Sequence, residues 1–386
     1  MPNPPDYLSQ ALTGTGVLTD KWFPPSAPSN WVGWDYWRTP VICTLMIDLM
    51  AQTNKVDYTS TVEAARVAGE FYFTNCGYYD DLAWWGRLCM HAYDYFKSQS
   101  KSDLMELYIT DAKIVCNQLS TAWDRDATSE YCGGGIWWKR EPFPPQPPYN
   151  PRETFKASNS TLGFMETALA LYLELGDTKY LALGQKCWDW LVQWKFVEDD
   201  GLIWGALIPG KCYLDPENVP VLSLQGEGLA PLWMLYKATN KTEYLDAADK
   251  IAEGTMAKMV WQGTQIMQDR CDAEWDSQTT DWKYENNNDT LFKGLFATYL
   301  GEYTKNISSL RPQQAQKYAA FLRANADAVW ANYPGATFGM DWHTLHENYQ
   351  PIPQDKVSRP IPNSDSTNAS LQYSGICPLA AAALVS

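Results

Sequence analysis

Two adjacent aspartates, Asp80 and Asp81, stand in the segment Gly77-Tyr78-Tyr79-Asp80-Asp81-Leu82-Ala83-Trp84-Trp85, ahead of a stretch that continues to Phe96. Apolar residues three and four apart predict a helix there, with both carboxyls at its entry. Neighbouring carboxyls at a helix start can be given different environments. The N-terminal amides favour one ionised group, and that charge together with burial holds the other protonated. Glycoside hydrolysis needs this division, a nucleophile or base working with an acid. Adjacent side chains can hold their carboxyls roughly 5 Å apart, the separation associated with retention of anomeric configuration. The plain alternative is an N-cap Asp followed by a first-turn Asp, which any helix can carry.

The surroundings favour the chemical reading. Trp84 and Trp85 follow the pair at once, and Gly133-Gly134-Gly135-Ile136-Trp137-Trp138 brings a second Trp pair behind three glycines. Aromatic faces match the apolar C–H faces of sugar rings, and glycine lets backbone approach a ligand closely. Trp84, Trp85, Trp137 and Trp138 are therefore candidate sugar contacts, against the alternative that each packs a core. Trp188, Trp190 and Trp233 fall on helical patterns and are assigned to the core. Asp35, in Trp34-Asp35-Tyr36-Trp37, is either a helix cap or a residue of the cleft floor. Asp272 and Asp341 lie near Trp275 and Trp342, where solvated loop acids are expected in preference to outer-sugar ligands. Lys139-Arg140 is read equally as a contact for an acidic glycan or as a surface pair. His343-x-x-His346 has no convincing third ligand, so no metal site is expected.

These residues need a scaffold, and the chain supplies a repeating helix pair. Glu166 to Leu191 shows it best, with a turn at Gly176-Asp177-Thr178. Leu229 to Met259 repeats it around Thr239–Thr242, Thr44 to Phe73 around Thr53-Asn54-Lys55, Arg87 to Trp123 around Ser98–Ser102, and Leu291 to Trp330 around Ser308–Pro312. Spacings of three and four between apolar residues, with Ser, Thr and Asp at the turn exits, predict helical hairpins. A short helix near Tyr7 to Leu12 and an apolar segment from Leu371 to Val385 can supply a sixth pair. The expectation is one domain over residues 1–386, an all-α (α/α)6 barrel, in preference to an open array. The insertions Tyr131–Pro151 and Gln262–Asn288 would crowd one end of it and build a cleft.

Composition narrows the class. The chain has 386 residues, 45 Asp and Glu against 30 Lys and Arg, and a formal net charge of −15. Such a balance disfavours nucleic acid, which requires clustered cations. No apolar run approaches the roughly 18 residues of a membrane span, so a soluble chain is expected. Nine scattered cysteines leave their connectivity open. Asn-x-Ser/Thr triplets begin at Asn159, Asn240, Asn288, Asn306 and Asn368, which favours a secreted chain, although the Met1-Pro2-Asn3-Pro4-Pro5 start lacks signal-peptide character.

Tyr78-Tyr79-Asp80-Asp81-x-x-Trp84-Trp85, followed by Gly133-Gly134-Gly135-Ile136-Trp137-Trp138-Lys139-Arg140, resembles glycoside hydrolase family 76, the α-1,6-mannanases and their fungal cell-wall relatives. Asn159-Ser160 resembles that family's substrate-facing asparagine segment. Gln225-Gly226 resembles the end of its Asn-Gln-Gly motif, with Leu224 in place of the Asn. Asp289 with Phe292-Lys293-Gly294 resembles its Asp-x-x-Phe-Lys-Gly segment. The similarity runs from about Trp34 to Tyr303.

The resemblance implies an (α/α)6 barrel and a retaining mechanism without a metal or other cofactor. It makes Asp80 the nucleophile and Asp81 the general acid/base, and adds Asn159, Gln225 and Asp289 to Asp35 and the tryptophans as substrate contacts. The expected partner is α-mannan or a mannose-containing glycan, acted on by a monomer outside the cell or at its wall. The leading expectation is a retaining endo-α-1,6-mannanase. A cell-wall transglycosidase and a non-catalytic glycan-binding barrel are the alternatives. Asn159 is expected to stay unglycosylated.

Overall fold

A computed structural model describes residues 5–23, 37–53, 55–125, 132–140, 155–208, 211–273, 287–345 and 364–386. In chain order the elements are α1 (Tyr7–Lys21), α2 (Arg38–Gln52), α3 (Thr59–Asn75), α4 (Tyr79–Ser98), α5 (Ser102–Thr121), β1 (Lys156–Ala157), α6 (Ser158–Leu175), α7 (Thr178–Gln193), β2 (Ala206–Leu207), α8 (Leu222–Thr239), α9 (Glu243–Lys258), α10 (Arg270–Ala273), α11 (Phe292–Ile307), α12 (Pro312–Asn332) and α13 (Ser364–Leu384). The hairpin turns fall where their residues predict them. Gly176 adopts the left-handed conformation, φ 70°, that closes α6. Asp177 then caps α7 by accepting from the Lys179 N–H at 3.1 Å. Pro312 opens α12, where a missing N–H costs no helix bond.

The chain divides into two compact units. The first comprises Tyr36–Pro220 and Glu227–Ile251. Within it α4 packs against α2, α5 and α6, and α6 packs against α7. Helix α2 is buried on nearly every side. α7 buries a single stripe of Tyr180, Gly184, Cys187, Trp190 and Leu191. The α4–α6 contact is close because it is made of small residues. A Cβ on Gly163 would lie 2.4 Å from the Ala83 Cβ, and one on Gly86 would lie 2.3 Å from Thr167 Oγ1. A buried ion pair, Arg87–Glu166, ties the same two helices.

The second unit comprises Met1–Asp35, Val221–Gly226 and Ala252–Ser386. Here α13 packs against α1, α11 and α12, so the two ends of the chain do form a helix pair. Helix α1 is longer than the Tyr7–Leu12 expectation. Its glycines do not stop it, because Gly14 is where Phe338 and Ile376 press close, a Cβ there meeting Phe338 at 2.7 Å. Gly294 gives α11 the same intimacy with α13, donating its N–H to Ser374 Oγ at 3.0 Å.

Cys132 and Cys212, 80 residues apart, form a disulfide in the first unit. Closing a loop of that length removes unfolded-state entropy worth about 4–5 kcal/mol in the chain-entropy model. Cys43, Cys76, Cys89, Cys116 and Cys187 are free and buried, and Cys377 is buried. Among the described residues no helix is long and apolar enough to cross a membrane.

Gly163→Ala should destabilise the protein by about 1–3 kcal/mol, since the α4 backbone opposite cannot yield. Gly16→Ala, whose Cβ would meet nothing within 4 Å, should be neutral or stabilising. Thermal unfolding of the two variants side by side checks this. Equal melting temperatures would mean that the α4–α6 approach is not tight.

Candidate active site

The loop that carries Trp137 and Trp138 is held as a strand without being part of a large sheet. The Tyr79 N–H donates to the Trp138 carbonyl at 2.9 Å, and the Arg140 N–H donates to the Gly77 carbonyl at 2.9 Å. On its other edge the Trp138 N–H donates to the Phe155 carbonyl at 3.0 Å and the Ala157 N–H to the Ile136 carbonyl at 3.3 Å. β1 continues the pattern by pairing antiparallel with β2. The entry of α4, the Trp137-Trp138 run and the strand leading into α6 thus lie side by side.

This arrangement brings three of the candidate residues onto one oxygen. Asp80 and Asp81 occupy the first turn of α4. The Trp138 indole Nε1 donates to Asp80 Oδ2 at 3.0 Å, and the Asn159 Nδ2 donates to the same oxygen at 2.7 Å. Asn159 is itself fixed, its Oδ1 accepting the Ser160 N–H at 2.9 Å. Asp80 Oδ1 is sealed from solvent and has no hydrogen-bond partner among the described residues. Burial therefore pushes the Asp80 carboxyl up to about 6, while the bonds from Trp138, the helix-start amides of Asp81 and Asp80, and Asn159 pull the other way. Asp81 beside it is 9% exposed. The arrangement offers a carboxylate steadied by donors next to a second buried carboxyl, which suits covalent catalysis at a sugar carbon.

The other candidates are placed differently. Trp138 is half-buried, its ring stacked on Phe155 at 4.8 Å and tilted against Tyr78 at 4.7 Å; its indole edge holds Asp80. Trp85 is 0% exposed and packs against Gly69 and Phe73, so it belongs to the α3–α4 core and not to a sugar platform. Trp84 and Trp137 are also buried, and Lys156 Nζ sits over the Trp137 ring at 5.0 Å. Gly134 and Gly135 serve the packing of Trp190. They have φ of 87° and 75° and lie under Trp190, where a Cβ on Gly135 would meet the indole at 2.3 Å. Trp190 is core as expected, while Trp188 and Trp233 are only half-buried.

In the second unit, Gln225 has no exposed surface, and its Nε2 donates to the Val221 carbonyl at 3.1 Å. Asp289 is equally enclosed and is ion-paired with Arg270. Neither offers an exposed atom to substrate. Asp272 is no solvated loop acid but a buried partner of Lys293 at 2.6 Å. Asp341 Oδ1 accepts the His343 N–H at 2.8 Å. His343 is exposed and stacked on Trp261. Arg140 is not an open cation for an acidic glycan. Its guanidinium bonds the Thr74 carbonyl and Gln118. Asp35, Trp275 and His346 lie outside the described residues.

The sequence reading passed over Phe155, Lys156 and Asp124. Lys156 Nζ reaches Asp124 Oδ2 at 2.6 Å with both side chains buried. A lysine between Phe155 and Ala157, three residues before Asn159, was the available signal. Charge in an apolar setting needs a partner, but nothing local names one that is 32 residues away.

A sequence model of glycosyl hydrolase family 76 matches residues 14–359, and the chain belongs to that family. Mannan endo-1,6-alpha-mannosidase DFG5 of Saccharomyces cerevisiae is 28% identical over 275 residues, 70% of this chain and 54% of the yeast protein. The chain thus spans little more than half of that relative. An inactive variant of the GH76A alpha-1,6-mannanase of Salegentibacter sp. HEL1_6, solved in complex with alpha-1,6-mannotriose, superposes with a TM-score of 0.74 at 18% identity, over 99% of this chain and 100% of that one. Dfg5 from Chaetomium thermophilum in complex with glucosamine gives a TM-score of 0.70 at 14% identity, covering 98% of this chain and 90% of that one. The fold is accordingly an all-α helical barrel.

The Asp80 environment has a measurable consequence. Its folded carboxyl binds a proton more readily than the unfolded one, so stability falls as pH rises from about 4 to about 6 and the full penalty remains above that. Asp80→Asn should therefore raise the melting temperature by a few degrees at pH 7, with the gain vanishing below about pH 4. Melting curves of both proteins across that range check the sign. A gain that grows towards acid pH would show that Asp80 is not a destabilised carboxylate.

Proposed function

We propose that the protein is a retaining endo-α-1,6-mannanase built as one catalytic domain, with Asp80 as nucleophile and Asp81 as general acid/base. The observation that carries this reading is the Asp80 carboxylate, gripped on Oδ2 by Trp138 and Asn159 with Asp81 on the same helical turn. In the first step an Asp80 oxygen bonds the anomeric carbon as the glycosidic C–O bond breaks, and the Asp81 proton passes to the leaving oxygen. In the second, Asp81 takes a proton from water, the water oxygen bonds the anomeric carbon, and the Asp80 ester is released. The donors on Oδ2 hold the carboxylate in place for attack, a positioning contribution that needs no motion at the moment of reaction.

Family membership and the yeast mannosidase relative support mannan as the substrate. The Cys132–Cys212 disulfide supports secretion or a cell-wall location, where such bonds persist. Because the Asn159 Nδ2 is engaged with Asp80, a glycan on that nitrogen would dismantle the site, and Asn159 stays unmodified despite its sequon.

Unbranched α-1,6-mannan incubated with the protein should be cut to shorter chains, and Asp80→Asn and Asp81→Asn should each lose activity by about 10³-fold or more while remaining folded. A variant with near wild-type turnover would overturn the assignment. An excess of acceptor oligosaccharide decides the fate of the intermediate: mainly elongated chains would assign transfer in place of hydrolysis. Binding with no turnover under any condition would leave a glycan-binding barrel. The acid limb of kcat/KM should lie near pH 6, since activity is lost as Asp80 takes up its proton.

A further inference from the structure

We propose that the buried Lys156–Asp124 ion pair is a positioning element for Asp80, setting both side-chain donors on the Asp80 carboxylate through a single cross-link. The proposal rests on the reading that Asp80 acts as an ionised nucleophile. Lys156 lies between the two supports. On its N-terminal side, Phe155 accepts the Trp138 N–H with its carbonyl and stacks its ring on the Trp138 indole, 13° from parallel. On its C-terminal side, Ala157 and Ser158 lead into the first turn of α6, which carries Asn159.

The Lys156 side chain closes the frame around these supports. It is 2% exposed, passes over the Trp137 ring and ends on Asp124 Oδ2 at 2.6 Å. The Asp124 N–H donates to the Gly135 carbonyl at 3.0 Å, so the anchor belongs to the same loop that bears Trp138. Lys156 and Trp137 also face each other as a backbone bridge. Removing either charge takes the 2.6 Å partner away from the other and loosens the hold on β1, which joins Phe155 to the start of α6. A carboxylate that loses a donor titrates higher, and a misplaced nucleophile loses rate at the chemical step, not at binding.

Among the described residues, Cys76 at the end of α3 interacts electrostatically with Asp80, with Asp81 on the same helix turn and with Arg140 on the paired loop; Cys76, Asp81 and Arg140 are left untouched by the variants. Lys156→Met and Asp124→Asn are compared with Lys156→Arg, which keeps the cation. Two readouts are taken: kcat and KM on unbranched α-1,6-mannan across pH, and the pH midpoint of the stability difference between each protein and its Asp80→Asn counterpart. The folded Asp80 carboxyl should rise by about 1 unit in Lys156→Met and Asp124→Asn, which moves the midpoint up by about half a unit, and the midpoint should return towards that of the parent in Lys156→Arg. At pH 5, kcat should fall about 10- to 100-fold with KM within about twofold.

A folded Lys156→Met or Asp124→Asn protein with an unmoved midpoint overturns the proposal. The midpoint is read from stability, so a protein that never cleaves mannan would defeat the functional reading while leaving this inference decided on its own terms. Asp124→Asn, which keeps the shape and an acceptor oxygen, serves where Lys156→Met does not fold.

Discussion

A carboxylate withdrawn from water, with side-chain donors on one oxygen only, is the constraint around which the site is arranged. Asp80 Oδ2 receives an indole N–H and an amide N–H, while Oδ1 receives no partner among the described residues. Full satisfaction would hold the group ionised and weakly nucleophilic; no satisfaction would keep it protonated. The halfway condition costs folded-state stability and places the charge change near pH 6. Such costs are typical of functional sites that are carried by a stable scaffold.

The scaffold is matched to that requirement. Trp138 comes from a loop, Asn159 from α6 and Asp80 from α4, so three elements must meet within hydrogen-bond distance. Gly163 and Gly86 let α4 and α6 approach until backbone meets side chain. Arg87–Glu166 fixes the same pair of helices further along. Gly134 and Gly135 let the loop lie under Trp190, whose Nε1 donates to the Cys132 carbonyl at 3.1 Å beside the disulfide. Interiors are close-packed, so errors in any one of these contacts reach the carboxylate.

Much of the fold is legible because its signals are local. Gly176-Asp177 specifies both the end of α6 and the start of α7, and the apolar stripe of α7 repeats within one helix. The Asp80-Asp81 pair is legible for a related reason, both being polar residues placed at the start of an apolar helix, whereas Asn159 is reached only through the family resemblance of its segment. The tryptophans and glycines are not legible. A Trp beside a carboxylate looks the same in sequence whether it packs a core, as Trp85 does, or donates an N–H, as Trp138 does. Gly135 likewise carries no mark of whether a ligand or Trp190 will occupy the space its side chain lacks. Pairs such as Lys156–Asp124 and Arg87–Glu166 stay hidden because their partners meet only through the tertiary fold.

The central claim is that Asp80 forms a covalent bond to the sugar, and the stereochemistry of the first product tests it most directly. Proton NMR of unbranched α-1,6-mannan, recorded in the first minutes after enzyme is added and before mutarotation, reports the anomer released. Two displacements at one carbon predict that the new reducing ends appear first as the α-anomer. Reducing ends that appear first as the β-anomer would mean a single displacement by water and would contradict the account.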